Sequence, residues 1–262
     1  IMLRVLFYNR KILWELSKND SKSRFSSSML GVIWVILQPL INMLVIWLVF
    51  QIGFKTSNLE GDIPFIVWYM PAFLSWNFFQ EAVSQSTNSL REYSYLVKKV
   101  NFSVEIIPAI KIVSNAMIHV FFVLFIVFVN LCYGRYPNIF YLQVLYYFFC
   151  ACALSLALGY LFAAIAPFIS DISNIVSIIL QIGFWITPLF WDPSNLTETA
   201  KFILRLNPVY YVCMGYRDCF VYKVSFWNHA YLSLYFWMFT ILVWFIAVRT
   251  FKKAKNQFDD VL

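Results

Sequence analysis

Charged residues are widely spaced along this chain and divide it into long apolar runs. Six long intervals between consecutive charged residues carry no charge, the first of them between Arg24 and Lys55. A charge at the centre of a bilayer costs about 3 kcal/mol on insertion scales, so each interval predicts a membrane-spanning helix. The predicted spans cover residues 29–53, 63–90, 107–133, 139–166, 172–191 and 226–249.

The second predicted span differs from the others because its clean apolar stretch is short. It continues into polar, amphipathic sequence from Gln80 to Arg91. Polar groups are expensive in hydrocarbon, so we expect this part of the helix to lie against protein or water.

Residues 1–28 predict an amphipathic helix that lies in the membrane interface on the cytoplasmic side. Six apolar side chains fall roughly on one stripe, and Arg10, Lys11 and Lys18 lie elsewhere on the helix. A helix of this pattern binds the interface with its apolar face. An ordinary N-terminal arm is the alternative. The stripe consists of Leu3, Leu6, Phe7, Ile12, Leu13 and Leu16.

The segment between the fifth and sixth predicted spans is too long for a simple turn. It holds an amphipathic stretch from Glu198 to Leu206, then Asn207-Pro208, then an apolar aromatic stretch from Val209 to Phe220. Pro208 lacks a backbone donor and disfavours helix at Asn207, so we expect two short helices that break there. Twelve residues cannot cross a bilayer. We therefore predict a re-entrant helical hairpin over residues 196–222, which enters from the outer face and acts as a gate.

Composition agrees with a membrane protein, and the predicted spans leave no room for a soluble domain of ordinary size. Hydrophobic residues make up 61% of the 262 positions and charged residues 13%, against about 25% charged in soluble domains. The predicted fold is an all-α integral membrane protein, with residues 29–262 as one six-helix transmembrane domain. Any large aqueous domain that the function needs must come from a partner.

Charge distribution predicts the orientation of the spans. Fourteen of the 20 Lys and Arg residues lie in residues 1–28, 91–111 and 249–262, and six lie in the segments on the other side. Basic residues concentrate in cytoplasmic segments of membrane proteins. Both termini are therefore expected in the cytoplasm, which agrees with an even number of spans.

The sequence contains no pattern that indicates catalysis, a metal site or a cofactor site. None of the seven glycines forms a phosphate-binding loop, so we expect no nucleotide to bind this chain. His119 and His229 lie in apolar runs without metal-ligand spacing, and each is expected to make an interhelical hydrogen bond. The five cysteines are expected to be mostly buried, small apolar residues. A nucleic-acid partner is not expected.

Polar residues recur at helical spacing on four of the predicted spans. Such groups normally face a bundle interior or a watery path, which makes them candidates for a channel or an oligomer seam. Hydrogen bonding between helices is the alternative. The candidates are Trp34, Gln38, Asn42, Asn77, Glu81, Ser84, Asn88, Lys111, Asn115, Ser177 and Gln181.

Aromatic residues are dense near the predicted outer gate. An interfacial belt of Trp and Tyr is one interpretation. The other is that flat aromatic faces stack on sugar rings and let a glycan slide. The candidates for the gate are Trp185, Phe190, Trp191, Asn207, Pro208, Tyr210, Tyr211, Tyr216, Arg217 and Asp218.

The segment 91–102 joins the second and third predicted spans and mixes charged with apolar residues. This mixture favours a short cytoplasmic helix presented to a soluble partner, and a solvated basic loop is the alternative. The candidates for this contact are Arg91, Tyr95, Lys98, Lys99 and Phe102.

Short motifs distributed almost from end to end carry a family resemblance. In chain order they are Asp20-x-x-x-Arg24, Leu30-Gly31-x-x-Trp34-x-x-x-x-Pro39, Trp76-Asn77-Phe78-Phe79, Ser86-x-Asn88-Ser89-Leu90, Leu96-Val97-Lys98-Lys99-Val100-x-Phe102, Ile107-Pro108, Leu158-Gly159, Thr187-Pro188-Leu189-Phe190, Asn207-Pro208, Tyr216-Arg217-Asp218 and Phe258-Asp259-Asp260-Val261-Leu262. With these motifs the chain resembles the permease subunits of ABC-2 type exporters of polysaccharides and polyol phosphates. It departs from the family at Ser103-Val104, where Pro-Arg is frequent, and at Ser170-Asp171, where Arg-Asp is frequent.

The resemblance implies a homodimer in the bacterial cytoplasmic membrane, with two copies of a nucleotide-binding subunit that bind ATP and Mg and dock beneath it. The substrate it implies is a lipid-linked glycan of O-antigen, capsule or teichoic acid type, which passes along the dimer seam. The N-terminal helix and the segment 91–102 would transmit the motion that nucleotide drives. The chain itself would not be an enzyme. Two alternatives stay open: an integral membrane transferase acting on lipid-linked glycans, and an ABC-2 permease for small lipids or drugs.

Overall fold

A computed structural model describes residues 2–23, 33–54, 63–99, 102–194 and 196–261, and their regular structure is helical. The α-helices are α1 (Met2–Tyr8), α2 (Arg10–Ser23), α3 (Ile33–Leu48), α4 (Phe65–Glu92), α5 (Ser94–Val97), α6 (Ile107–Cys132), α7 (Val144–Ile165), α8 (Ile172–Ile186), α9 (Glu198–Arg205), α10 (Pro208–Arg217), α11 (Ala230–Lys255) and α12 (Phe258–Val261). Short π-helical turns follow α3 and α10, and 3-10 turns precede α6, α7 and α11.

Four helical segments within the described residues are long and apolar enough to cross a membrane. They are Ile33–Gly53, Val104–Cys132, Ile139–Ile165 and Phe226–Lys255. All four coincide with predicted spans to within a few residues at their starts. The prediction of an all-α integral membrane protein is therefore confirmed at this level.

The fifth predicted span, 172–191, extends more than one helical turn beyond the end of the helix in the structure. The helix α8 ends at Ile186, and Thr187 is extended, with φ −69 and ψ 129 degrees. Pro188 follows, and a proline disfavours the helical conformation in the residue before it. The 15 residues of α8 rise about 22 Å. The sixth span, in contrast, continues past the predicted end at 249 to Lys255.

Helix α4 forms the centre of the bundle, as its mixed sequence requires. Trp68, Tyr69 and Leu74 are almost fully buried in its first half, and Ser86 and Thr87 are fully buried in its second half. The Ser86 hydroxyl donates to the Pro108 carbonyl at 3.1 Å, and Thr87 donates to Val83. The polar half of α4 thus lies against protein and has internal hydrogen-bond partners.

The remaining long helices are arranged around α4 in a definite order. Helices α6 and α7 pack on α4, and α11 packs on α7, so that α11 is peripheral. Helices α3 and α8 lie against α4 as well. At Gly159, the close approach of α7 to α4 excludes a side chain, because an added Cβ would lie 2.8 Å from the Ser86 Cβ.

A second hydrophobic cluster closes one end of the bundle. It contains Met2 of α1, Leu90 of α4, Leu96 of α5, Phe251 of α11 and Phe258 of α12. We call this the basic end, because α1, α2, α5 and the last turns of α11 meet there. These elements and the residues that follow them are rich in Lys and Arg. The short helices α9 and α10 lie at the opposite end, the hairpin end.

The N-terminal segment is helical as predicted, but its apolar stripe divides into two. Leu6, Leu13 and Leu16 pack toward the cluster at the basic end, whereas Leu3, Phe7 and Ile12 are exposed to 59%, 74% and 49%. A break at Asn9, whose side chain donates to the Val5 carbonyl at 3.0 Å, separates α1 from α2 and turns the stripe. Residues 24–28 of the predicted helix lie outside the described part.

Candidate functional site

Two adjoining cavities lie between α3 and its neighbours, and polar side chains contribute to the lining of both. The smaller, of about 110 Å³, is formed with α4 and α6, and the larger, of about 480 Å³, is formed with α4 and α8. Asn42 and Asn77 line both. The sequence-predicted residues that the two cavities bring together are Gln38, Asn42, Asn77, Glu81, Asn115, Ser177, Gln181 and Trp185.

Hydrogen bonds fix several polar side chains around the smaller cavity. The Gln85 side-chain amide donates to Glu81 at 2.8 Å, and the Asn115 amide donates to Gln85 at 3.0 Å. This chain crosses from α4 to α6. The Gln85 and Asn115 amides and the Glu81 carboxylate therefore line the cavity in positions fixed by hydrogen bonds. This arrangement suits hydrogen bonding to a polar, hydroxyl-rich ligand.

Aromatic rings form the wall of the larger cavity. Trp76 and Phe184 lie edge to face with centroids 6.4 Å apart, and Phe190 packs against both Phe184 and Trp185. A Cβ at Gly183 would lie 2.7 Å from the Trp76 ring, so this glycine leaves the space that the indole occupies. The Trp76 indole N–H donates to Gln80 at 2.8 Å, which holds one edge of the ring.

Several of the cavity residues are exposed on the surface of the single chain. Gln38 and Asn42 of α3, Glu81 of α4 and Gln181 of α8 are all exposed. Met43 is the single buried residue of α3. The polar row therefore opens on a face that the isolated bundle does not cover.

Four candidates for the channel or seam lie outside the two cavities. Trp34 is partly exposed one turn before Gln38, and Ser84 is half-buried on α4. Asn88 accepts a hydrogen bond from Ser173 at 2.5 Å and so ties α4 to α8. Lys111 takes part in an ion cluster at the basic end, described next.

A buried ion cluster joins α2, α4 and α6. The Lys111 ammonium lies 2.7 Å from Asp20 and 2.5 Å from Glu92, and the side chains of Lys111 and Asp20 are only 7% and 3% exposed. The Tyr93 hydroxyl donates to Asp20 at 2.8 Å. Burial, followed by the hydrogen bond to Asp20, raises the pKa of the Tyr93 phenol above its ordinary value of 10.0.

The segment predicted to contact a partner contains the short helix α5. Tyr95, Lys98 and Lys99 are exposed, whereas Leu96 and Val97 are buried in the cluster at the basic end. Phe102 is half-buried. Arg91 instead donates to the backbone carbonyls of Ala166 and Ile169, so it holds the loop after α7.

The helix break predicted at Asn207-Pro208 is confirmed. Asn207 caps α10, because its side-chain oxygen accepts from the Val209 amide at 3.1 Å, and Pro208 is the first helical residue. The Asn207 amide also donates to the Thr187 hydroxyl at 2.8 Å. One residue therefore both starts α10 and ties it to the end of α8.

Arg217 anchors the hairpin end. Its side chain is fully buried, donates to the carbonyls of Trp68 and Leu189, and stacks 3.6 Å above the Trp68 ring. A charged guanidinium in this position needs such partners, since an isolated buried charge is costly. Arg217 thus fastens α10 to α4 and to the segment after α8.

The predicted gate residues separate into a surface group and a core group. Trp185 is 61% exposed, and the Trp191 indole donates to its carbonyl at 3.3 Å. Tyr210 is half-buried. Tyr211 and Tyr216 are buried, so they pack α10 against the bundle and do not line its surface.

His119 forms the interhelical hydrogen bond expected from its position, and His229 makes a close polar contact with a neighbouring helical turn. His119 on α6 lies 2.8 Å from the Tyr216 hydroxyl on α10. His229, just before α11, lies 3.0 Å from the Asp218 carboxylate in the turn after α10. These contacts connect the hairpin to two long helices.

Cysteines and metal-ligating groups form no cluster in the described residues. All five cysteines are free; Cys150, Cys213 and Cys219 are buried, Cys152 is half-buried and Cys132 is exposed. Within the described ranges no group of three His, Cys, Asp or Glu side chains is arranged to hold a metal ion.

Sequence reasoning missed several residues of these sites. Gln80 follows Asn77 by three residues and Gln85 follows Glu81 by four, so helical spacing could have identified both, whereas it does not indicate Trp76. The Asp20–Lys111 pair joins positions 91 residues apart, and no pattern in one sequence indicates that pairing.

The fold and the cavities define a class: a helical membrane protein with a polar cavity that opens on a helix face. Comparison with known families is consistent with this class. Residues 12–221 match the ABC-2 type transporter family, so the chain belongs to that family.

Named relatives cover most of the chain. The chain is 26% identical to the O-antigen export system permease protein RfbA of Myxococcus xanthus over 84% of both sequences. It is 23% identical to a protein of the same name from Klebsiella pneumoniae over 97% of this chain and 98% of the relative. These relatives are named as permeases, which agrees with a transport subunit.

Proposed function

We propose that this chain is the transmembrane subunit of an ATP-driven exporter that moves a lipid-linked polysaccharide across the bacterial cytoplasmic membrane. The polymer is of O-antigen, capsule or teichoic acid type. Family membership and the names of relatives at nearly full coverage support the class of substrate. The observation that carries the proposal is the pair of adjoining cavities: side-chain amides line both, the Glu81 carboxylate lines the smaller, and aromatic rings line the larger.

The lining combines the two kinds of group that a sugar chain needs. Sugar rings present apolar faces and polar edges, which match aromatic rings and amide groups respectively. Trp76 and Trp185 supply the first, and Asn77 and Gln181 supply the second.

We propose a homodimer in which the exposed polar row faces the second copy. Exposed Gln38, Asn42 and Gln181 would otherwise meet lipid, where polar groups without partners are costly. A second copy across this face closes the cavities into a path along the seam.

The topology that we propose has six spans, with both termini in the cytoplasm. Helix α4 supplies the second span and α8 the short fifth, completed by the residues after Ile186. The basic end then faces the cytoplasm, in agreement with the concentration of basic residues there. Helices α9 and α10 form a re-entrant hairpin at the outer face, and its backbone is protected because α10 packs on α4 and α7.

Two copies of an ATP-binding subunit complete the exporter and bind ATP and Mg. Exposed Tyr95, Lys98 and Lys99 at the basic end form the proposed contact surface. The buried face of α5 and the ion cluster of Lys111 connect this surface to α2 and α6, so movement of the partner would be transmitted to both helices.

The proposal is tested by deleting the gene and measuring where the lipid-linked glycan accumulates. We expect accumulation on the cytoplasmic side, and export restored by the wild-type gene. Asn77→Leu and Gln181→Leu should reduce export at an unchanged amount of membrane-inserted protein. The matched control is Asn174→Leu, an exposed residue of α8 outside both cavities.

Normal glycan export in the deletion strain would contradict the proposed substrate. ATP hydrolysis by the purified chain without a partner would contradict the proposal that a separate subunit hydrolyses ATP. If glycan were modified covalently by the isolated chain, the alternative of an integral membrane transferase would replace the proposal.

A further inference from the structure

A third cavity lies at the basic end, away from the two cavities beside α3. It has a volume of about 460 Å³ and is formed by the C-terminal parts of α7 and α11. This is space for about fifteen water volumes, enough for a chemical group much larger than one ordered water. Its lining residues are Ala164, Ile165, Phe168, Arg249, Thr250, Lys253, Ala254 and Gln257.

The charge of this cavity is positive and unopposed. Arg249 and Lys253 are one helical turn apart on α11, and no acidic residue lines the cavity. Among the described residues neither side chain forms an ion pair, whereas the neighbouring Lys255 is paired with Glu105 at 2.6 Å. Thr250 and Gln257 add uncharged hydrogen-bonding groups. This lining fits an anionic group with several oxygen acceptors.

An exposed apolar stripe on α11 leads directly into the cavity. Leu242, Phe245 and Ile246 precede Arg249 by seven, four and three residues, which places all four on one face. The opposite face of α11 is buried against the bundle. The whole stripe consists of Leu234, Met238, Ile241, Leu242, Phe245 and Ile246.

The position of the cavity corresponds to the level of lipid headgroups. Arg249 is the first charged residue after Lys223, so it ends the uncharged stretch that crosses the membrane. Helix α11 packs on α7 and α10, whereas α3 and α8 pack on α4. The cavity is therefore on the periphery of the bundle, away from the proposed dimer seam.

We propose that this cavity binds the headgroup phosphate of an acidic phospholipid, with the acyl chains along the apolar stripe of α11. Basic pockets between membrane helices at the cytoplasmic surface are suited to acidic headgroups, and each Lys or Arg strengthens the attraction. Because the stripe is continuous with the basic cavity, the occupant is a lipid and not a free anion. The inference does not depend on which substrate the chain transports.

The test is native mass spectrometry of the full chain extracted from nanodiscs of equimolar phosphatidylglycerol and phosphatidylcholine. We expect phosphatidylglycerol to be retained about 25-fold over phosphatidylcholine, about fivefold for each of the two basic residues. Arg249→Gln and Lys253→Gln should each reduce this preference about fivefold, and the double variant should abolish it. The matched control is Lys252→Gln, which removes an exposed lysine of the same turn that does not line the cavity. Arg249 and Lys253 are both exposed, so both single variants are expected to fold.

Four results would overturn the proposal. The preference for phosphatidylglycerol could survive in the Lys253 and double variants, or Lys252→Gln could reduce it equally, which would indicate diffuse attraction to the basic end. Displacement of the bound lipid by inorganic phosphate at equal concentration would show that a free anion, and not a lipid, is the occupant. Loss of the retained lipid when a second copy or another subunit covers the cavity would also contradict it.

Discussion

Replacing Lys111 by methionine tests the buried ion cluster that joins α2 to the bundle. Methionine is nearly as long and unbranched, so the change removes the charge with little change in volume. Asp20 then loses an ammonium at 2.7 Å while its carboxylate stays 3% exposed. Removing one partner of a buried pair costs about 3 to 5 kcal/mol.

Two neighbours reduce the expected cost toward the lower limit. The Tyr93 hydroxyl still donates to Asp20 at 2.8 Å, and the Glu92 side chain is 49% exposed, so water replaces its contact with Lys111. We expect a loss of about 3 kcal/mol, which corresponds to about a 100-fold increase in the opening equilibrium of α2.

Hydrogen exchange of the α2 amides in a membrane mimetic measures this opening. We expect about 100-fold faster exchange over Arg10–Ser23 in Lys111→Met and wild-type exchange in Lys18→Met, which removes an exposed lysine of α2. In the double variant Asp20→Asn/Lys111→Met, the α2 amides should exchange more slowly than expected if the free-energy effects of the two single substitutions were added. Unchanged exchange in Lys111→Met, or full additivity in the double variant, would refute the reasoning.

Three further predictions concern packing and pH. Burial raises the pKa of the Tyr93 phenol, so the stabilisation that Tyr93 gives to the docking of α2 is complete below the ordinary pKa of 10.0 and is lost as the pH rises above it. Hydrogen exchange of the α2 amides should therefore become faster above pH 10 in the wild type but not in Tyr93→Phe. Equal exchange in the two proteins would contradict this. Gly215→Ala should destabilise the bundle by about 3 kcal/mol, because the new Cβ would lie 2.0 Å from the buried Tyr147 ring; an unchanged thermal midpoint would contradict this. Arg217→Lys should lower stability by about 2 kcal/mol, because lysine lacks the planar fork that reaches Trp68 and Leu189 while stacking on Trp68, and equal stability of the two proteins would exclude that role.

Local chemistry made several parts of the structure predictable. The charge-free intervals located the long helices, because the cost of a buried charge acts on each residue separately. Asn207-Pro208 predicted a helix start, since a cap and a proline act within one turn. The row from Gln38 to Asn42 and Asn77 was found from spacing, and the structure brings these residues to shared cavities.

Contacts between distant segments could not be read in the same way. Lys111 followed the spacing of a channel residue, yet Asp20 draws it into an ion cluster at the basic end. Tyr216 was grouped with gate aromatics by position along the chain, but α10 turns it toward His119 in the core. In both cases the partner lies on another helix, and the choice between partners depends on tertiary packing.

Site-specific photocrosslinking during export tests the central claim most directly. A photoreactive residue at Asn42, Ser177 or Gln181, in the cavities between α3, α4 and α8, should capture the lipid-linked glycan in cells that also make the ATP-binding subunit. The same residue at Leu242, on the exposed apolar stripe of α11, should capture no glycan. Glycan captured equally at Leu242, or captured at none of the cavity positions while export proceeds, would contradict the account.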